Sequence, residues 1–182
     1  VLDAVPDNLK GPDNQWTAIA KRARAIFYNP LMVEETEVNN LNYEDLADSK
    51  WKNRIVIRSS NNMYNQSLVA SLIANLGETQ TESWAKKLVS NFARKPQGND
   101  RSQIMAVANG EADIAIANSY YIGVMLSGSA GEEQLNAAKK VKMLFPNQDN
   151  RGVHINISGA GILKYAPNVE NANLFLEFLL SK

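Results

Sequence analysis

The sequence predicts an α/β fold in which a mixed, mainly parallel sheet is flanked by helices. Two observations predict it: short β-branched or apolar runs at residues 54–58 and 113–117, and a stretch of helical periodicity after each of them. Strands that alternate with helices in this way are typical of α/β proteins. In such sheets ligands bind beyond the carboxyl ends of the strands, so the residues after these two runs are candidate site positions.

The predicted strands are short apolar runs bounded by turn residues. They cover residues 25–28, 54–58, 113–117, 141–145 and 154–157. Residues 1–16, which are rich in Pro, Asp, Asn and Gly, are predicted to form a loop. Gly159, Ala160 and Gly161 lack the rest of a phosphate-binding motif, and we interpret them as a bend that interrupts the last strand.

The predicted helices carry apolar residues on one face. They are a short turn at residues 43–46, residues 64–76, 81–92 and 100–110, a stretch from near Ser119, and residues 132–140 and 169–180. The polar residues 59–62 can cap the helix at 64–76, and Gly77 can end it. Asp100 can cap the helix that begins there.

Composition excludes several classes of function. The apolar fraction of 45% and the charged fraction of 21% are those of an ordinary globular protein. The formal net charge is zero, which argues against a nucleic-acid partner. The chain has no cysteine, so thiol catalysis, cysteine metal sites and disulfides are excluded, and no apolar run is long enough to predict a membrane span.

Three tyrosines follow two of the predicted strands. Tyr64 comes just after the polar residues 59–62, and Tyr120 and Tyr121 follow the strand at 113–117. Phenolate oxygen suits a hard cation such as Fe(III), and a bound cation lowers the tyrosine pKa enough to ionise it. Adjacent tyrosines in a strand would point apart, but at a strand-to-helix junction both hydroxyls can converge. Helix N-termini would favour the phenolates, or a small co-anion.

The same residues also have an ordinary explanation. The chain has six tyrosines, and a Tyr-Tyr pair more often belongs to the packing or the surface than to a metal site. His154, the only histidine, lies on a predicted strand, where a structural role is the simpler interpretation. A single histidine also excludes a multi-histidine metal site within this chain.

A set of collinear segments, spread over nearly the whole chain, carries a family resemblance. The segments are residues 21–29, 43–48, 58–68 (which include Ser-Ser-Asn-Asn-Met-Tyr-Asn), 91–101, 110–121 (which end in Asn-Ser-Tyr-Tyr), 145–148 and 156–161. They resemble the periplasmic ferric-iron-binding proteins of bacterial ABC importers, which have the two-lobed type II binding-protein fold. The resemblance therefore implies that the chain forms a lobe of that fold.

The resemblance also implies a site. In that family consecutive tyrosines that match Tyr120 and Tyr121 bind ferric iron, and a subgroup that includes cyanobacterial members adds a third, which matches Tyr64. Other subgroups carry a small residue there and bind a synergistic anion, so such an anion is optional here. The implied protein is a monomer in the periplasm that binds Fe(III) without catalysis and delivers it to an inner-membrane ABC permease.

Family members are considerably longer and begin with an amino-terminal lobe that supplies further ligands. The resemblance therefore implies that the chain is a fragment without that lobe. Residues 1–29 are expected to cross over from the first lobe, 30–152 to form the second lobe, and 153–182 to return as a crossover strand and helix. Tyr28 lies on the first crossover, and we interpret it as structural.

Three alternatives remain open. The same fold could bind an oxyanion, a polyamine or another small solute, with Asn61, Asn62 and the helix start holding an anion. An enzyme such as a transferase could also use a two-lobed fold, although no cysteine, acid–base pair or cofactor loop supports it. The third alternative is the effector-sensing domain of a transcription regulator, for which a smaller site and a dimer interface are expected.

Overall fold

The structure is a computed structural model that describes residues 5–181. The chain divides into two compact units. The larger unit is Ala23–His154, and the described part of the smaller unit is residues 5–22 and 155–181. The assignment of residues 1–29, 30–152 and 153–182 to two lobes of a longer protein stays a prediction.

The sheet of the larger unit has four strands. In spatial order they are β2 (Ile55–Val56), β3 (Ile114–Asn118), β1 (Thr17–Tyr28, which begins in the smaller unit) and β4 (Lys142–Leu144). β2 and β3 are parallel, whereas β1 is antiparallel to both β3 and β4. The predicted mixed sheet is confirmed. Three of these four strands, β2, β3 and β4, run in the same direction, but most neighbouring strands are antiparallel. Because β1 lies between β3 and β4, the neighbouring pairs around it are antiparallel.

Six helices pack around this sheet. They are α1 (Glu35–Val38), α2 (Met63–Leu76), α3 (Glu78–Ser90), α4 (Asp100–Ala108), α5 (Tyr120–Leu126) and α6 (Glu132–Ala138). The predicted turn at residues 43–46 is the 3-10 helix Glu44–Ala47, and a second 3-10 helix, Ser49–Trp51, follows it. Each helix predicted between residues 64 and 140 is therefore present, with its ends shifted by a few residues.

Alternate residues of the central strands contribute to two separate hydrophobic cores. Ile26 of β1 lies opposite Ile116 of β3, and both belong to the core that contains the apolar faces of α2 and α3. Phe27 lies opposite Ala115, and both belong to the core formed with α4. Side chains of a strand point alternately to its two faces, so the unit is a sheet between two helical layers.

The ends of α2 and α4 are determined by local residues. Asn62 caps α2 by accepting a hydrogen bond from the Tyr64 amide at 3.0 Å, and Gly77, at a φ of 82°, ends this helix as predicted. The prediction for α4 is wrong by one residue. Asn99, not Asp100, accepts the capping hydrogen bond from the Ser102 amide, because the Asp100 carboxylate is buried in an ion pair with Arg24.

The smaller unit contains β5 (Ile155–Ala160), which pairs with β1, and α7 (Val169–Leu180). The interpretation of Gly159 to Gly161 as a bend is wrong, since the strand continues through Ala160. A Cβ atom on Gly161 would lie 2.5 Å from the Gln15 carbonyl oxygen, so this glycine permits a close approach of two backbones.

The predicted amino-terminal loop falls partly outside the described residues. Its described part contains two 3-10 helices, Asp7–Leu9 and Pro12–Asn14. Within residues 5–181, no helix combines the length and the apolar character that crossing a membrane requires.

Candidate functional site

The parallel pair β2 and β3 creates the edge at which the candidate residues lie. The carboxyl ends of parallel strands lie at the same edge of a sheet. The chain leaves β2 through residues 57–62 and enters α2, in which Tyr64 is the second residue. It leaves β3 at Asn118 and enters α5, whose first two residues are Tyr120 and Tyr121. The two junctions therefore bring all three predicted tyrosines to one region of the larger unit.

The phenol of Tyr120 lies close enough to the phenols of Tyr121 and Tyr64 to interact with both electrostatically. The rings of Tyr120 and Tyr121 stack with their centroids 4.1 Å apart and their planes inclined by 30°. Tyr120 is 39% exposed, so solutes can reach the cluster from outside. Burial of the remaining surface, together with the two neighbouring phenols, raises the pKa of Tyr120 above the usual tyrosine value. The three tyrosine side chains therefore form one cluster.

Arg58 supplies a positive charge beside this cluster. Its guanidinium carbon lies 5.9 Å from the centre of the Tyr64 ring, within the range of a cation–π contact. Its Nη1 atom lies 3.5 Å from Oδ1 of Asp100. Arg58 thus links the phenol of Tyr64 to a buried carboxylate.

A buried polar network lies behind the tyrosines, and sequence reasoning missed it. Arg24 donates to Asp100 Oδ2 at 2.8 Å and to Asn65 Oδ1 at 2.5 Å. Asp100 Oδ2 also accepts the backbone N–H of Asn118 at 3.0 Å. The one available signal was adjacency in sequence, since Asn65 follows Tyr64 directly and Asn118 precedes Tyr120 by two residues.

His154 and Tyr28 have structural surroundings. Nε2 of His154 is 2.7 Å from the Ser67 hydroxyl, and its backbone N–H donates to the Tyr43 hydroxyl at 3.2 Å. Burial and the neighbouring Arg24 guanidinium lower the pKa of His154. Tyr28 is buried in the core against β3. Among residues 5–181, no group of three or more His, Cys, Asp or Glu side chains forms a metal-binding cluster.

A cavity of about 370 Å³ opens between α2 and α3. Its wall is mainly apolar and includes Leu68, Trp84 and Phe92, and Arg58 and Lys95 also line it. The three tyrosines are not among its lining residues. The cavity and the tyrosine cluster are therefore separate features that have Arg58 in common.

The fold and the site together define a class of protein: an α/β architecture with a group of tyrosine side chains at the carboxyl edge of its sheet. The sequence matches the model of the bacterial extracellular solute-binding protein family over residues 2–182. The chain belongs to this family.

Individual relatives are similar over nearly the whole chain. Iron uptake protein A1 of Synechocystis sp. is 53% identical over 178 residues, which are 98% of this chain and 49% of that protein. A solved structure of a Trichodesmium protein in complex with iron and citrate ligands has a TM-score of 0.92 and 53% identity, and the match covers 98% of this chain and 56% of that one. A ferric binding protein from Campylobacter jejuni has a TM-score of 0.88 and 42% identity, with coverage of 97% and 55%. The chain spans about half the length of the curated relatives it matches.

Proposed function

We propose that this chain is part of an extracytoplasmic protein that binds ferric iron through the phenolate oxygens of Tyr64, Tyr120 and Tyr121. The observation that carries the proposal is the grouping of the three side chains: the Tyr120 ring stacks on that of Tyr121 at 4.1 Å between centroids, and its phenol interacts electrostatically with those of Tyr121 and Tyr64. Fe(III) favours oxygen donors, and three phenolates offset its charge of three. The names of the relatives, which refer to iron uptake and ferric binding, support this choice of ion.

The proposed activity is binding and delivery without catalysis. Iron would enter from the exposed side of Tyr120, and each phenol would lose its proton as it becomes a ligand. The remaining coordination positions would be filled by groups outside these three tyrosines, or by a synergistic anion, in line with the citrate named for the Trichodesmium structure. The loaded protein would act in the periplasm as a monomer and deliver Fe(III) to an inner-membrane ABC permease.

A ferric titration tests the proposal directly. Phenolate ligands give bound Fe(III) a visible charge-transfer band, so we expect this band to grow until the site is saturated. Tyr120→Phe removes the phenol that interacts with both others, and we expect the band to be lost. The matched control is Tyr165→Phe, which removes a phenol that is 86% exposed in the smaller unit and should leave the band unchanged.

Two results would overturn the proposal. The first is the absence of a band in the unaltered protein, and the second is a band that persists unchanged in Tyr120→Phe. Binding of a small anion without any band would instead favour the alternative of a small-solute binder. That alternative has one supporting observation, the cavity beside α2 with Arg58 and Lys95 among its lining residues.

A further inference from the structure

We infer that the buried ion pair of Arg24 and Asp100, together with Asn65 and Asn118, holds the two tyrosine-bearing segments in the relative position that iron binding requires. The inference rests on the proposed function and deepens it, because it assigns positioning residues to the same site. None of the four side chains is proposed as an iron ligand.

Asp100 fixes the segment that carries Tyr120 and Tyr121. Its Oδ2 atom accepts hydrogen bonds from Arg24 Nη1 at 2.8 Å and from the Asn118 backbone N–H at 3.0 Å. Asn118 is the last residue of β3, two positions before Tyr120. Since Asp100 is fully buried at the start of α4, the end of β3 is attached to a carboxylate inside the core.

Arg24 connects this carboxylate to the segment that carries Tyr64. Its Nη2 atom donates to Asn65 Oδ1 at 2.5 Å, and its Nη1 atom lies 3.3 Å from Asn118 Oδ1. The Asn65 amide in turn donates to the carbonyl oxygens of Arg58 and Ser59 at 2.8 and 3.3 Å. Arg24 therefore bridges the loop after β2, the start of α2 and the end of β3 through one planar group.

Stability alone does not explain why these charged residues are buried. Arg24 is 1% exposed and Asp100 is fully buried, so both charges have lost their hydration. Burying a pair of charges costs several kcal/mol per ion, and apolar side chains of the same volume often stabilise a core as well or better. What the pair adds is a defined geometry, because a guanidinium holds several acceptors in fixed relative positions. Besides the Asp100 carboxylate, its acceptors are the amides of Asn65 and Asn118, which lie next to and two positions before a tyrosine.

The test compares two buried asparagines that make the same kind of contact. Asn65→Ala removes an amide that donates to two backbone carbonyls and accepts from Arg24. Asn91→Ala is the matched control. The Asn91 amide is also buried and donates to two carbonyls, those of Leu46 and Asp48 at 2.9 and 2.7 Å, and none of these contacts involves the tyrosines. Melting temperature, ferric affinity by chelator competition and the charge-transfer band per bound iron are measured for both.

We expect both variants to melt at lower temperature, but only Asn65→Ala to lose ferric affinity. Loss of a group that orients a metal ligand typically lowers metal affinity about 10–100-fold, and we expect a loss in this range with an altered band. Asn91→Ala should keep the affinity and the band of the unaltered protein. Equal affinity in the two variants, or equal loss in both, would overturn the inference.

A second variant guards against failure of Asn65→Ala to fold. Arg24→Lys keeps a positive charge beside Asp100 but has no planar fork with which to reach Asn65 and Asn118 together. We expect the same loss of affinity and the same altered band; a folded Arg24→Lys protein with unchanged affinity and band contradicts the inference. Absence of any band in the unaltered protein has a different meaning, since it overturns the proposed function and, with it, the positioning role.

Discussion

Iron binding by three phenols should depend steeply on pH. In the metal-free protein the phenol of Tyr120 lies beside those of Tyr64 and Tyr121, and a tyrosine phenol ordinarily keeps its proton at neutral pH. A burial-raised pKa keeps the proton on Tyr120 throughout the neutral range. Each phenol that becomes a ligand must release its proton, so each contributes a tenfold change in affinity for every pH unit. With three such phenols, lowering the pH by one unit should weaken ferric binding about 1000-fold.

The assay is a competition titration against a chelator whose own pH dependence is known. The charge-transfer band reports the fraction of protein that carries iron at each of several pH values near neutrality. Tyr64→Phe should reduce the dependence to about 100-fold per pH unit, because two phenols then remain to be deprotonated. Tyr165→Phe, which removes an exposed phenol of the smaller unit, should leave the dependence at its original value.

The refuting result is specific. A change of about tenfold or less per pH unit means that no more than one proton leaves on binding, and the three-phenolate site would then be wrong. If ferric affinity depends steeply on pH in the unaltered protein and equally steeply in Tyr64→Phe, Tyr64 is excluded as an iron ligand. Tyr120 and Tyr121 would then remain as the proposed ligands.

Two further predictions concern the metal-free fold. Burial raises the pKa of Tyr43 above its usual value of 10.0, so above that pH the unfolded chain loses a proton that the folded chain keeps. The contribution of Tyr43 to stability is therefore complete below pH 10, and the free energy of unfolding should fall by about 1.4 kcal/mol per pH unit above it. Urea denaturation at several pH values should find this dependence reduced in Tyr43→Phe. Asp100→Leu leaves the Arg24 guanidinium buried without its carboxylate and should cost about 3–5 kcal/mol, whereas the double variant Arg24→Met, Asp100→Leu should recover most of this loss in the same denaturation assay; a double variant less stable than Asp100→Leu would contradict the reasoning.

Much of the fold was predictable because local residues determine it. The helix α2 is bounded by Asn62 and Gly77, and both of these end signals are visible in the sequence. The strand β3 is an uninterrupted apolar run whose carboxyl end leads directly into Tyr120. The convergence of the three tyrosines followed from one piece of topology, the parallel pairing of β2 and β3.

β1 was predicted at less than half of its true length. The apolar pattern at residues 25–28 was found, but the strand Thr17–Tyr28 begins eight positions earlier. Lys21, Arg22 and Arg24 interrupt the apolar pattern in that part of the strand, and charged residues are rare in buried strands. Sequence periodicity cannot distinguish a charged residue that faces solvent from one that has a buried partner elsewhere in the chain.

Arg24 illustrates why the tyrosines could be proposed as ligands from the sequence, whereas the buried network beside them could not. A phenol carries its chemistry wherever it stands, so Tyr64, Tyr120 and Tyr121 could be proposed from residue type and position. The role of Arg24 depends on Asn65, Asp100 and Asn118, which lie 41, 76 and 94 positions away in sequence. Ligand chemistry is thus a local property, whereas ligand orientation depends on burial and distant pairing. Two of these three partners, Asn65 and Asn118, lie within two residues of a tyrosine. Polar residues that flank a predicted ligand are therefore the positions at which a single sequence can indicate residues that orient it.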